Sequence, residues 1–133
     1  IFADAMLAGG GEVHGVIPRF MVEKELAHRG LTELHVVETM AERKAVMTEL
    51  SEAFVALPGG VGTLDEVFEM LTARQLDLQL HPVGLLDVGG YFEPLDRQMQ
   101  LAHRHGYVGA EDLERLVVEA DPAHLIQRLR AAA

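Results

Sequence analysis

Cysteine is absent from this 133-residue chain, which excludes a disulfide framework, a thiolate nucleophile and cysteine-rich zinc sites. A reducing cytoplasm is compatible with that absence. Lysine is nearly as scarce, with only Lys24 and Lys44 in the whole chain. Long apolar runs are missing as well. None approaches the roughly 20 residues that cross a bilayer, and no basic-then-apolar leader opens the chain, so no membrane partner is expected. Positive charge is in short supply: 11 Lys plus Arg face 21 carboxylates, for a net charge of −10. A polyanion would meet net repulsion, so nucleic acid is not an expected partner. A small anion remains open, because a few local donors overcome a diffuse negative field.

What is present is globular. Apolar residues make up 49% and charged residues 24%, far from the disordered regime, and the length suits a single domain over residues 1–133. Short β-rich runs alternate with helical patterns. That order predicts an α/β fold, a Rossmann-like three-layer arrangement with a mostly parallel sheet flanked by helices. Ile1 to Ala8 reads as the end of a helix stopped by Gly9-Gly10-Gly11. A chain that opens inside a helix, without Met, leads us to expect a segment upstream of Ile1. Val13–Ile17 and Leu34–Val37 read as strands. Thr39-x-x-Glu42 is a capping box that opens a helix to about Leu50. Ala53–Leu57 is a continuous apolar run, as in a strand buried on both faces. A helix from Thr63 to about Leu76 follows, with Leu64, Val67, Phe68 and Leu71 as its apolar stripe. Pro82–Leu86 is a second buried strand, Tyr91–His105 a helix capped by Gly106, Leu116–Val118 a short strand, and Pro122–Arg130 a closing helix.

The chemistry concentrates where the run Ala53–Leu57 meets Pro58-Gly59-Gly60-Val61-Gly62-Thr63. A Gly-rich turn from a buried strand into a helix lies where open α/β sheets bind ligands. Its glycines allow unusual dihedrals and close approach, and the N–H groups at the helix start favour phosphate. Thr63 can add a hydroxyl. Two common motifs are excluded. A Walker loop needs Gly-Lys-Ser/Thr, and Thr63-Leu64 follow Gly62; a dinucleotide fingerprint needs glycine at position 65, which is Asp65. The competing reading is a tight turn with no ligand.

Two further residues carry reactive groups. Glu66 lies three residues past Thr63, so Thr63-x-x-Glu66 is itself a capping box, and a capping role competes with a catalytic one. Met40, Arg43, Lys44 and Met47 fall on one helical face. Cations that share a face with methionines suggest an anionic ligand or buried carboxylate; the alternative is stems lying on apolar surface with heads in water. His103-Arg104-His105 is a suggestive pair for a metal, but i and i+2 on a helix point apart, so no metal site is expected.

The segment Pro58-Gly59-Gly60-Val61-Gly62-Thr63-Leu64-Asp65-Glu66 resembles the PGGxGTxxE motif of the LOG family, cytokinin riboside 5′-monophosphate phosphoribohydrolases once labelled lysine decarboxylase-like. Gly15-Val16-Ile17-Pro18, Met40 to Met47, Gln75-Leu76, Pro82 to Leu86 and Gly90-Tyr91-Phe92 extend the resemblance over nearly the whole chain. It implies a Rossmann-like fold, a homodimer, no cofactor, and hydrolysis of an N6-modified adenine or other purine nucleoside monophosphate to free base and ribose 5-phosphate. It makes Arg43 and Glu66 the catalytic pair. Gly59, Gly60, Gly62 and Thr63 become the phosphate cradle, and Met40 and Lys44 line the nucleotide pocket. The family's first strand and first Gly-rich segment would precede Ile1. A lysine decarboxylase would need a Schiff-base lysine for pyridoxal phosphate, a poor fit to two lysines. A non-catalytic nucleotide sensor or carrier on the same fold is the alternative function.

Overall fold

The computed structural model describes residues 2–22 and 30–132, which form two compact units, Ile1–Leu50 and Ser51–Ala133. Lys24 and Ile1 lie outside the described residues. Every strand pairing is parallel, and the strands fall into two sheets, one in each unit.

The first unit runs α1 (Phe2–Ala8), β1 (His14–Pro18), α2 (Arg19–Val22), β2 (Glu33–Val37) and α3 (Met40–Glu49). α1 stops as its glycines predict. Gly9 and Gly11 donate back to Ala5 O and Met6 O at 3.0 and 2.9 Å, with Gly10 left-handed at φ 80°. β1 and β2 pair in parallel from His14↔Glu33 to Pro18↔Val37, so Pro18 closes the strand from within rather than beyond it. The capping box before α3 forms with a shift. Thr39 Oγ1 accepts from Glu42 N at 3.1 Å, while the Glu42 carboxylate accepts from Glu38 N at 2.8 Å, one residue ahead of the cap.

The second unit runs β3 (Phe54–Ala56), α4 (Val61–Gln75), β4 (Val83–Leu86), a 3₁₀ turn (Val88–Gly90), α5 (Glu93–Arg104), α6 (Ala110–Glu114), β5 (Leu116–Glu119) and α7 (Pro122–Ala132). Its sheet has the order β3-β4-β5, so β4 is central. Alternation along the strands sorts their side chains onto two faces. Val83, Leu85 and Leu116 join Val67 of α4 and Phe92 on one face, while Val117 packs with Leu125 and Leu129 of α7 on the other. This is a helix–sheet–helix sandwich, the three layers anticipated from the sequence. Gly84 is what lets α7 approach so closely: a Cβ there would stand 2.9 Å from Leu125 Cδ1 and 3.0 Å from Leu129 Cδ1.

Two expectations are corrected here. β3 is not buried on both faces, since Val55 is 47% exposed. It is an edge strand, and the fully covered position belongs to β4. The apolar stripe of α4 is also rotated: Leu64, Val67, Met70 and Leu71 pack against the core, whereas Phe68 stays exposed.

Candidate functional site

The turn from β3 into α4 differs from its sequence reading in one consequential respect. α4 begins at Val61, with Gly60 as its N-cap, so Thr63 is the third helical residue and not the cap. Thr63 N and Leu64 N donate to Gly60 O at 3.0 and 3.2 Å, which closes the first turn two residues earlier than expected. The capping box Thr63-x-x-Glu66 therefore does not form. Glu66 lies in the second turn, beyond the reach of the cap. Thr63 and Glu66, three residues apart, are neighbours on one face, separated by about 4.5 Å along the axis. Both are half-buried.

The start of α4 is electrostatically unlike the other long helices. Glu42 lies in the first turn of α3, Glu93 and Asp96 in that of α5, and Asp121 accepts from His124 N at 2.8 Å at the start of α7. α4 has no acid in its first turn and no side-chain cap hydrogen bond. The N–H groups of Val61 and Gly62 and the positive dipole end there are of the kind that favours an anion. The surface there is open. Val61 is 85% exposed, and nothing stands within 4 Å of a Cβ placed at Gly60 or Gly62.

The glycines act through space rather than through strain. None of Gly59, Gly60 and Gly62 is left-handed, contrary to the expectation of unusual dihedrals. A Cβ at Gly59 would instead collide with the Thr63 hydroxyl, so glycine at that position brings backbone and hydroxyl together. The Tyr91 hydroxyl donates to Gly59 O and ties the turn to the segment after β4. That segment is fixed in turn, because Asp87 Oδ1 accepts from Phe92 N at 2.6 Å. Tyr91 was legible only as part of a familiar Gly-Tyr-Phe string; its hydrogen bond spans 32 residues.

Met40, Arg43, Lys44 and Met47 stand on α3, in the first unit. Arg43 Nε donates to Val16 O of β1 at 3.2 Å, anchoring the guanidinium on the strand. Arg43, Lys44 and Met47 are half-buried, and Met40 is 41% exposed. The structure thus gathers Gly59, Gly60, Gly62, Thr63 and Glu66 at the head of α4, and Met40, Arg43 and Lys44 along α3.

A family model described as "Possible lysine decarboxylase" matches residues 1–129. The chain belongs to this family, the LOG family. Among curated LOG relatives, a cytokinin riboside 5′-monophosphate phosphoribohydrolase of Rhodococcoides fascians is 45% identical over 130 residues, covering 97% of this chain and 66% of that protein. The enzyme of the same name from Mycobacterium tuberculosis is 44% identical over 116 residues, 87% of this chain and 62% of its own. The LOG protein of Oryza sativa subsp. japonica is 39% identical over 123 residues, 92% and 50%. This chain therefore spans half to two thirds of the length of these LOG relatives. Among the described residues, no helix is long and apolar enough to cross a membrane.

Proposed function

We propose that the chain carries the catalytic site of a phosphoribohydrolase that cleaves purine nucleoside 5′-monophosphates, N6-modified adenine nucleotides among them. The observation that carries this reading is the start of α4, where a first turn without acid or side-chain cap is followed one turn on by Glu66. The names of the LOG relatives support the same reaction.

In this reading the phosphate sits on the N–H groups at Gly60 to Gly62, with the Thr63 hydroxyl as a further donor. Anchoring the phosphate fixes the ribose relative to Glu66, which is catalysis by positioning. As the bond from C1′ to the base nitrogen breaks, positive charge develops on the sugar ring. The Glu66 carboxylate stabilises that charge and accepts a proton from the attacking water. The new bond joins the water oxygen to C1′, and the base leaves with a proton, giving free base and ribose 5-phosphate. Arg43, anchored through its Nε on Val16 O, is the second catalytic residue of this reading. Met40 and Lys44 contribute to the nucleotide pocket.

The older decarboxylase description fits the residues poorly. Of two lysines, Lys44 lies beside Arg43 on a helix of cations and methionines. The water-driven reaction needs no cofactor. We place the enzyme in the cytoplasm, where a cysteine-free chain and a nucleotide substrate both belong. We assign it as a homodimer; Leu76, Leu78 and Leu80, 62–76% exposed, give it an apolar surface to cover, and sedimentation analysis tests this.

The deciding experiment incubates the protein with AMP and isopentenyladenosine monophosphate and follows free base. Release by the wild type and its loss in Glu66→Gln support the assignment. Tight AMP binding without base release would instead identify a nucleotide sensor or carrier.

A further inference from the structure

We propose that His14, Glu33 and His35 form a binding site for a divalent metal ion of zinc type on the β1–β2 pair. The parallel register sets it up. His14 pairs directly with Glu33, and His35 lies two residues further along β2, so Glu33 and His35 share a face. One atom from each side chain converges. His14 Nδ1 lies 3.3 Å and His35 Nε2 3.5 Å from Glu33 Oε2, and the three ligand atoms are all within 4.8 Å of one another.

These separations suit a metal. Four ligands set tetrahedrally at about 2.0–2.1 Å from zinc stand about 3.3–3.4 Å apart, and two imidazoles with one carboxylate are a familiar open zinc set. Both nitrogens already stand near that spacing from Glu33 Oε2, and rotation of the side chains would bring the two nitrogens to it as well. The two histidines offer supporting detail. His35 Nε2 is shielded from solvent and has no hydrogen-bond partner, an orphaned nitrogen that a metal would satisfy. His14 uses Nδ1 towards Glu33, while its other nitrogen, Nε2, lies 3.5 Å from the Glu12 carboxylate. A carboxylate behind a ligating imidazole fixes the tautomer and raises the basicity of the metal-binding nitrogen. His14 and Glu33 are exposed, so an ion has a way in, and three protein ligands leave a fourth position for water.

The site lies wholly within the first unit. Its purpose would be to clasp β1 to β2 at their amino-terminal ends. The competing explanation is a plain ion pair between Glu33 and protonated histidines, which needs no metal.

Chelator-treated protein is titrated with zinc chloride by calorimetry, and the cobalt form is recorded by visible absorption. One ion per chain is expected, with a tetrahedral cobalt spectrum and a raised melting temperature. His14→Ala and Glu33→Gln, both at exposed positions, each weaken zinc binding by roughly ten-fold or more. His103→Ala and Glu66→Gln leave it unchanged. An absence of saturable binding by the wild type, or binding that survives both His14→Ala and Glu33→Gln, overturns the proposal.

Discussion

Two segments share the pattern Thr-x-x-Glu, and the fold uses them in opposite ways. At Thr39-x-x-Glu42 the threonine is the N-cap of α3, its hydroxyl accepts from Glu42 N, and the glutamate accepts from the backbone just ahead. At Thr63-x-x-Glu66 the helix has already begun at Val61. The difference lies in what precedes the threonine. Thr39, two residues past the end of β2, is itself extended, whereas Val61 and Gly62 wind into α4 and leave the cap to Gly60. A glycine cap contributes no side-chain acceptor. Thr63 and Glu66 therefore play no part in capping α4.

The sharpest way to break this comparison is to make the same change in both segments. Glu66→Gln is expected to lower the rate of base release roughly 100- to 10,000-fold, the usual worth of a positioned acid–base group. Glu42→Gln is expected to leave the rate unchanged, because a glutamine oxygen still accepts from Glu38 N and glutamine serves in a capping box. Equal losses in the two variants would mean that Glu66 acts through the fold.

Stability should split in the reverse sense. Thr39→Ala removes a cap and costs about 1 kcal/mol in urea unfolding. Thr63→Ala, inside a helix where alanine is the better residue, costs less than about 0.5 kcal/mol. It should nonetheless weaken AMP binding in calorimetry. A Thr63 penalty as large as that of Thr39 would restore the capping box there.

This pair also measures how far the sequence could be read. Strands β1 to β5 announce themselves as apolar runs, and the glycine stops of α1 and α5 have direct chemical causes. Which run is central is a different matter. Ala53–Leu57 is as apolar as Pro82–Leu86, yet the edge position falls to β3, because strand order is a tertiary property that no local run encodes. The start of α4 was misplaced for a related reason: a threonine is a better local cap than a glycine, and only the assembled turn overrides that preference. The short helices α2 and α6 have too few residues to show a period. Arg43, Glu66 and the glycines are singled out as candidates by local sequence patterns, but the Tyr91 bond to Gly59 and the His14–Glu33–His35 cluster are not. Both depend on contacts between residues 19 to 32 positions apart, which follow from strand pairing and packing rather than from spacing.

The Tyr91 bond offers a smaller test on the ligand-binding side. Tyr91→Phe keeps the ring against Phe92, whose centroid is 5.0 Å away, and removes only the donor to Gly59 O. A stability loss of about 1 kcal/mol or less is expected, since the carbonyl can turn to water. The Michaelis constant for AMP should rise more visibly, because the turn proposed to hold the phosphate loses its tether. An unchanged constant would show that the glycines hold the turn unaided.

The smallest effect belongs to the capping side, and its sign can be worked out. Arg19 grips the residue before Thr39, with Nε at 2.8 Å and Nη2 at 2.7 Å from Glu38 Oε1. Hydrogen bonding from that guanidinium, and then its charge, hold the Glu38 carboxyl below its ordinary 4.5. A carboxyl whose folded value is depressed stabilises the fold above the unfolded value and loses that contribution as pH falls through the lowered one. The pair is solvent-exposed, so water and salt screen it heavily. The melting temperature of the wild type should therefore sag slightly as pH drops below 4.5, and Glu38→Gln should remove that part of the slope while leaving base release intact. Added salt should shrink the difference between the two proteins. If the slope persists in Glu38→Gln, other carboxylates carry the acid sensitivity, and the Arg19 contact contributes nothing measurable to the entry into α3.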